Sequence, residues 1–186
     1  MTPDSIGLVF KALQFAALKH RDQRRKGSEA APYINHPIAL VHLLWHEAGV
    51  QDPAVLVAAL LHDTVEDTQT SFAELEQEFG ADICRLVGEV TDDKSLPKQV
   101  RKQYQIDHAP YLSDRAKLVK LADKICNIRD LTTSPPLEWS DERRYEYFEW
   151  AKQVVDRLRG THPGLESLFD QAYQAGIALS SRSLQI

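Results

Sequence analysis

The stretch AVLVAALLHDTVEDT, residues 54–68, decides how this chain folds. Eight apolar residues run without interruption to Leu61, and then His62, Asp63, Glu66 and Asp67 fall within six positions. Asp52 followed by Pro53 makes a good N-cap and first-turn pair, so the spacing predicts a buried helix from there to about Asp67. A carboxylate is costly to bury unless it is paired or binds metal. Side chains four apart share a helix face, which puts His62 one turn before Glu66 and Asp63 one turn before Asp67. An adjacent His and Asp can both reach one metal ion if that helix end opens into a cleft, with Glu66 and Asp67 flanking it. The competing reading is an exposed, charged helix end. Acids near a helix C-terminus oppose its dipole, however, so capping does not account for three of them.

Helical periodicity extends outward in both directions. Ile6, Val9, Leu13, Ala16 and Ala17 mark a first helix over roughly residues 5–20, followed by the aperiodic loop RDQRRKGSEAAPYINHP. Pro37 suits the first turn of a second helix, which Gly49 caps. Ser71 and Glu74 form a capping-box pattern for FAELEQEFG, and ADICRLVGEV follows as a short helix. KQVRKQYQIDHAP is a polar, surface-type helix. Residues 114–131 form a long amphipathic helix, Ser140 caps a helix that Gly160 ends, and a last helix over roughly 164–179 leaves a polar tail. No segment alternates as a strand does. The fold class expected is all-α, a single domain over residues 1–186 with about eight to ten helices.

Composition narrows the function. Of 186 residues, 43% are hydrophobic and 26% charged, which is globular usage. A net charge of −5 disfavours a nucleic-acid binder but allows an anionic small molecule if positive charge is concentrated locally. Two cysteines, Cys84 and Cys126, make no disulfide framework and are expected as small buried residues in a reducing compartment. No apolar run approaches the roughly 20 residues of a membrane span, and the N-terminus lacks a signal-peptide layout. The default is a cytoplasmic enzyme or binding protein.

Two further residues bear on the metal reading. His36, in NHP, is expected in the loop just before the second helix, held by Pro37. Asp123 shares a helix face with Val119, Ala122, Cys126 and Asn127, so it points into the core, where a lone carboxylate needs a partner such as metal. Asn127 projects into the same pocket.

The pattern H…HD…D formed by His36, His62–Asp63 and Asp123 resembles that of the HD-domain metal-dependent phosphohydrolases. The ordered blocks YINHP, ALLHDTVEDT, EVTDDK, KLVKLADKICNIRDL and EYFEWA narrow the resemblance to the small alarmone hydrolases, the stand-alone hydrolase relatives of the RelA/SpoT enzymes, of the animal SpoT-like kind. The resemblance spans about residues 15 to 158. It implies an all-helical HD fold and one divalent metal, usually Mn²⁺, held by His36, His62, Asp63 and Asp123. A mixed N/O ligand set also suits Zn²⁺ or Fe²⁺. It implies removal of the 3′-pyrophosphate of (p)ppGpp to give GDP or GTP, with Glu66 and Asp67 orienting water and moving protons.

Cations must then face the site. By the resemblance, Arg25 and Lys26 lie at the nucleotide, Tyr33 lines the same wall, and Lys98 and Asn127 contact phosphate or ribose. Arg143 and Tyr147 share a helix face, from which Arg143 can reach phosphate. The loop before PYINHP reads GSEAA where bacterial SpoT-like members often have a shorter turn, and it borders the base pocket. His20, His42, His46, His108 and His162 have no constellation around them, and the three tryptophans read as core or cleft wall. The expectation is a hydrolase without a synthetase domain. The alternatives are an HD phosphatase for NADPH or another nucleotide and a nucleotide-sensing module without turnover.

Overall fold

Helix α3 (Pro53–Leu61) forms the centre of the molecule, with every residue from Val55 to Leu61 buried. Burying one Leu or Val side chain contributes roughly 1.5–3 kcal/mol, so this apolar run anchors the fold. The computed structural model describes residues 1–183. Around α3 pack α1 (Pro3–Lys19), α2 (Asn35–His42), α6 (Ala81–Val90) and the long helix α8 (Asp114–Thr133). Helices α9 (Asp141–Asp156) and α10 (Pro163–Ser183) cover the other side of α8. Three shorter helices, α4 (Thr64–Asp67), α5 (Phe72–Phe79) and α7 (Lys98–His108), complete ten α-helices among the described residues. A single isolated bridge, Arg24 with Pro32, stands in place of any sheet there, so the fold is all-α. No helix among the described residues is long and apolar enough to cross a membrane.

The caps follow the sequence. The Asp52 carboxylate accepts from the Ala54 amide at 2.9 Å, and the Ser71, Ser113 and Ser140 hydroxyls accept from Glu74, Ala116 and Arg143. Gly49 and Gly160 adopt φ of 69° and 88°, a backbone region that L side chains rarely enter. Gly27 has a different role. A Cβ there would stand 2.7 Å from the Ser134 carbonyl oxygen, so only glycine lets the loop after α1 press against the end of α8.

Four local expectations are corrected. The helix expected to reach Asp67 stops at Leu61, and α4 resumes after a turn at His62 and Asp63. The Thr64 hydroxyl donates to the Leu61 carbonyl at 2.6 Å and the His62 ring engages the Ala59 carbonyl at 2.9 Å, so side chains take up carbonyls at the helix end. Asp63 relaxes to φ −99°, ψ −1°. Second, His36 lies in the first turn of α2 and not in the loop before it, because Tyr33 and Ile34 already start the turn through their carbonyls. Third, Cys84 is half-buried, with its thiol donating to the Phe72 carbonyl at 3.3 Å, whereas Cys126 is buried as expected. Fourth, α10 continues past residue 179 to Ser183, and the rest of the expected tail lies outside the described residues.

Candidate active site

Three helices converge on one buried cluster. His36 from α2, His62 from the end of α3 and Asp123 from α8 each offer a ligand atom, all within 4.8 Å of one another. His36 Nε2 lies 3.2 Å from Asp123 Oδ1, and His62 Nε2 lies 3.8 Å from the same oxygen. Asp63 joins through its Oδ2, 2.9 Å from His62 Nε2. The turn at His62 and Asp63 is what lets neighbours in sequence face one point. Because the Ala59 carbonyl engages His62 Nδ1, the Nε2 atom is left for the cluster. That Nε2 is buried and makes no aligned hydrogen bond, although two carboxylates stand close to it. Two imidazoles and two carboxylates around an orphaned nitrogen fit a divalent metal ion.

The electrostatics follow from burial and crowding. Burial opposes charge on His62, but Asp63 and Asp123 outweigh it and lift the imidazole to about 9. His36 moves the other way, lowered chiefly by burial. Burial resists ionisation of Asp123, yet the neighbouring Lys124 ammonium, 3.0 Å from Oδ2, and the two imidazoles hold it well below the usual carboxylate range. A second tier supports the cluster. Tyr33 Oη donates to Asp63 Oδ2 at 2.5 Å, and Asn127 donates to Asp123 Oδ1 at 2.6 Å. Asn127 also accepts from Arg25 at 3.0 Å, and Arg25 pairs with Asp130 at 2.6 Å.

Glu66 and Asp67 stand one short turn beyond the cluster. Burial, then the charges of Asp63 and Asp92, push the Glu66 carboxyl up to about 7. The Asp92 amide donates to Glu66 at 3.1 Å, with Arg101 at 3.8 Å and Lys94 at 3.9 Å. Asp67 is held on both oxygens, by Lys94 on one and by Gln23 at 2.8 Å on the other. Glu66, Asp67 and Asp92 line a polar inner cavity of about 180 Å³ together with the cluster, and Lys120 and Gln105 also line it. An outer cleft of about 680 Å³ adjoins it, walled by Arg25, Lys26, Tyr33, Trp139 and Tyr147. Its size suits a nucleotide-sized ligand.

A family profile described as HD domain matches residues 12–146, most of the chain and every residue of the cluster. The chain belongs to the HD-domain family. Two relatives named guanosine-3′,5′-bis(diphosphate) 3′-pyrophosphohydrolase MESH1 match nearly throughout. The one from Xenopus tropicalis is 55% identical over 92% of this chain and 97% of its own length, and the one from Mus musculus is 57% identical over 89% and 93%. A solved structure described as a metazoan ortholog of SpoT that hydrolyzes ppGpp superposes with a TM-score of 0.87 at 54% identity, covering 90% of this chain and 94% of that one.

Within this HD domain, most of the residues expected from sequence come together. His36, His62, Asp63, Asp123, Glu66, Asp67, Arg25, Tyr33 and Asn127 all border the inner cavity, and Lys26 and Tyr147 border the outer cleft. Tyr33 and Asn127 are tied to the cluster acids, which makes them braces for Asp63 and Asp123 as well as cleft wall. Arg143 is at the margin, its guanidinium 4.4 Å from the Trp139 ring centre. Lys98 is not brought in: it opens α7, exposed, and lines neither space. The cations that reach the acids are Lys94, four residues earlier in TDDKSLP, and Arg101 on α7. Sequence reasoning also missed His20 and Gln23. No local sequence pattern marks them: His20 is buried at the end of α1 and lies 2.6 Å from Gln23, which reaches Asp67 across the fold.

Proposed function

We propose that this HD domain, a single unit over residues 1–186, hydrolyses (p)ppGpp at its 3′-pyrophosphate, giving GDP or GTP and pyrophosphate. The observation that carries this reading is the pairing of two layers at one cavity. A His/Asp cluster suited to metal lies one turn from a carboxyl poised near neutrality, beside a cation-walled cleft of nucleotide size. Relatives sharing more than half of their residues with this chain bear that activity in their names.

In this reading His36, His62, Asp63 and Asp123 hold one Mn²⁺, which when bound polarises the phosphorus centre and acidifies nearby water. Glu66, raised to about 7, takes the proton of the attacking water as its oxygen bonds to phosphorus. Asp67, fixed by Gln23 and Lys94, orients that water. The bond from phosphorus to the ribose 3′ oxygen breaks, and that oxygen recovers a proton from Glu66. Arg25, Lys26 and Lys94 balance the phosphate charge, while Trp139 and Tyr147 line the wall that meets the base and ribose. Two free cysteines support a reducing cytoplasm as the working compartment.

Purified protein incubated with ppGpp, GMP and NADPH, each with Mn²⁺ and with chelator, tests the proposal. Pyrophosphate released from ppGpp and lost on chelation is the expected result. Phosphate released from NADPH with ppGpp untouched would transfer the activity to another nucleotide. No turnover of any substrate by metal-loaded protein would leave only a binding module.

A further inference from the structure

Helix α1 ends at His20, whose amide donates to the Ala16 carbonyl at 2.9 Å. The chain turns at once, with the Gln23 amide donating to the His20 carbonyl at 3.0 Å and the Tyr33 amide donating to the Gln23 carbonyl at 3.1 Å. His20 is only 2% exposed, and its ring leans on Tyr33, centroids 4.8 Å apart and tilted by 31°. Its one hydrogen bond among the described residues runs from Nδ1 to Gln23 Oε1, 2.6 Å away. The other end of the same amide reaches Asp67 Oδ2 at 2.8 Å.

We infer that His20 and Gln23 form a positioning pair that sets the orientation of the Asp67 carboxylate for hydrolysis. The inference rests on the role given to Asp67 above. A carboxylate only accepts, so Gln23 must present its NH₂ to Asp67. Its carbonyl oxygen then needs a donor, and His20 Nδ1–H supplies it. The polarity of the relay is therefore fixed from the end of α1 to the acid. Lys94, the partner of the other Asp67 oxygen, is 47% exposed and open to screening by water and salt. Gln23 is the directional contact. Without it, Asp67 is free to follow Lys94 toward the cleft mouth and away from the attacking water. The same imidazole backs Tyr33, whose hydroxyl holds Asp63, so one buried ring supports an acid in each layer of the site.

The test compares Gln23→Leu, His20→Phe and His20→Asn in the full chain loaded with Mn²⁺, using ppGpp hydrolysis and metal content. Gln23→Leu should lower kcat by roughly 30-fold with KM and metal content within about twofold, as for a misplaced catalytic group. His20→Phe keeps a ring against Tyr33 but loses the donor, and should fall with Gln23→Leu. His20→Asn keeps an N–H donor near the Nδ1 position and should recover most of kcat. A readout independent of turnover is the ¹⁵N spectrum of the His20 ring, which should show hydrogen on Nδ1 in the wild type and lose that signature in Gln23→Leu. Unchanged kcat in Gln23→Leu, a rise in KM alone, or equal losses in His20→Asn and His20→Phe would each overturn the inference. If the wild type leaves ppGpp intact, the functional reading fails instead, and the ring spectrum alone decides the relay: hydrogen on Nε2 would refute it.

Discussion

The metal cluster and the outer cleft are held in opposite ways. His36 is buried in the first turn of α2 and His62 in the turn after α3, and their partners Asp63 and Asp123 are braced by Tyr33, Lys124 and Asn127. In the cleft and at its margin, three cations already have companions. Arg25 engages Asn127 and Asp130, Lys94 engages Asp67, and Arg143 lies over Trp139. A chain of net charge −5 can present cations to an anion in this way, because Arg25 and Lys94 are held by Asp130 and Asp67 at the cleft rather than spread over the surface. The inner layer is fixed by buried contacts, and the outer layer is a set of pairs that face the cleft.

Breaking the inner layer should have the largest effect. Asp63→Ala should lose metal and activity together; a contribution of several kcal/mol corresponds to roughly a thousandfold or more in rate. Metal analysis and ppGpp turnover on one preparation check this. Tyr33→Phe removes only the hydroxyl that braces Asp63 and should weaken metal affinity by about 10- to 100-fold, measured by metal titration. Arg25→Ala should raise KM for ppGpp by about tenfold with a smaller change in kcat, and Arg25→Lys should not restore it, because an ammonium lacks the planar fork. The sharpest contrast in the outer layer is also the smallest effect. Lys94→Ala should raise KM by a few-fold at low salt, whereas Lys98→Ala, exposed and lining neither space, should stay within about twofold. Equal effects of the two would erase the distinction between a cation at the acids and one on the surface.

The sequence was most legible where periodicity and burial act together. The apolar run before His62 could only be a core helix, and Asp123 on the small, apolar face of α8 could only point inward. Both place their acids at the cluster, where His36 from the first turn of α2 meets them. Legibility failed where side chains compete with the backbone or pair across the fold. Thr64 and His62 bond carbonyls at the end of α3 and break a helix that spacing alone would extend to Asp67. Lys94 and Lys98 flank the same proline-containing turn, and only the path of that turn decides which one reaches Glu66 and Asp67. His20 and Gln23 sit 44 to 47 residues before Asp67 along the chain, in a loop without periodicity, so no local pattern connects them to the acid they approach.

The central claim is the division of labour between the His/Asp cluster and the Glu66–Asp67 pair beside it, and Glu66→Gln tests it most directly. The substitution removes the proton-accepting carboxylate, whose carboxyl sits at about 7, while leaving all four cluster residues in place. Measured on one sample, Mn²⁺ binding should match the wild type at one ion per chain, while single-turnover hydrolysis of ppGpp should fall by about 10²- to 10⁴-fold. Loss of the ion together with activity would make Glu66 a ligand, and native turnover with the ion retained would remove it from the reaction; either result would contradict the account.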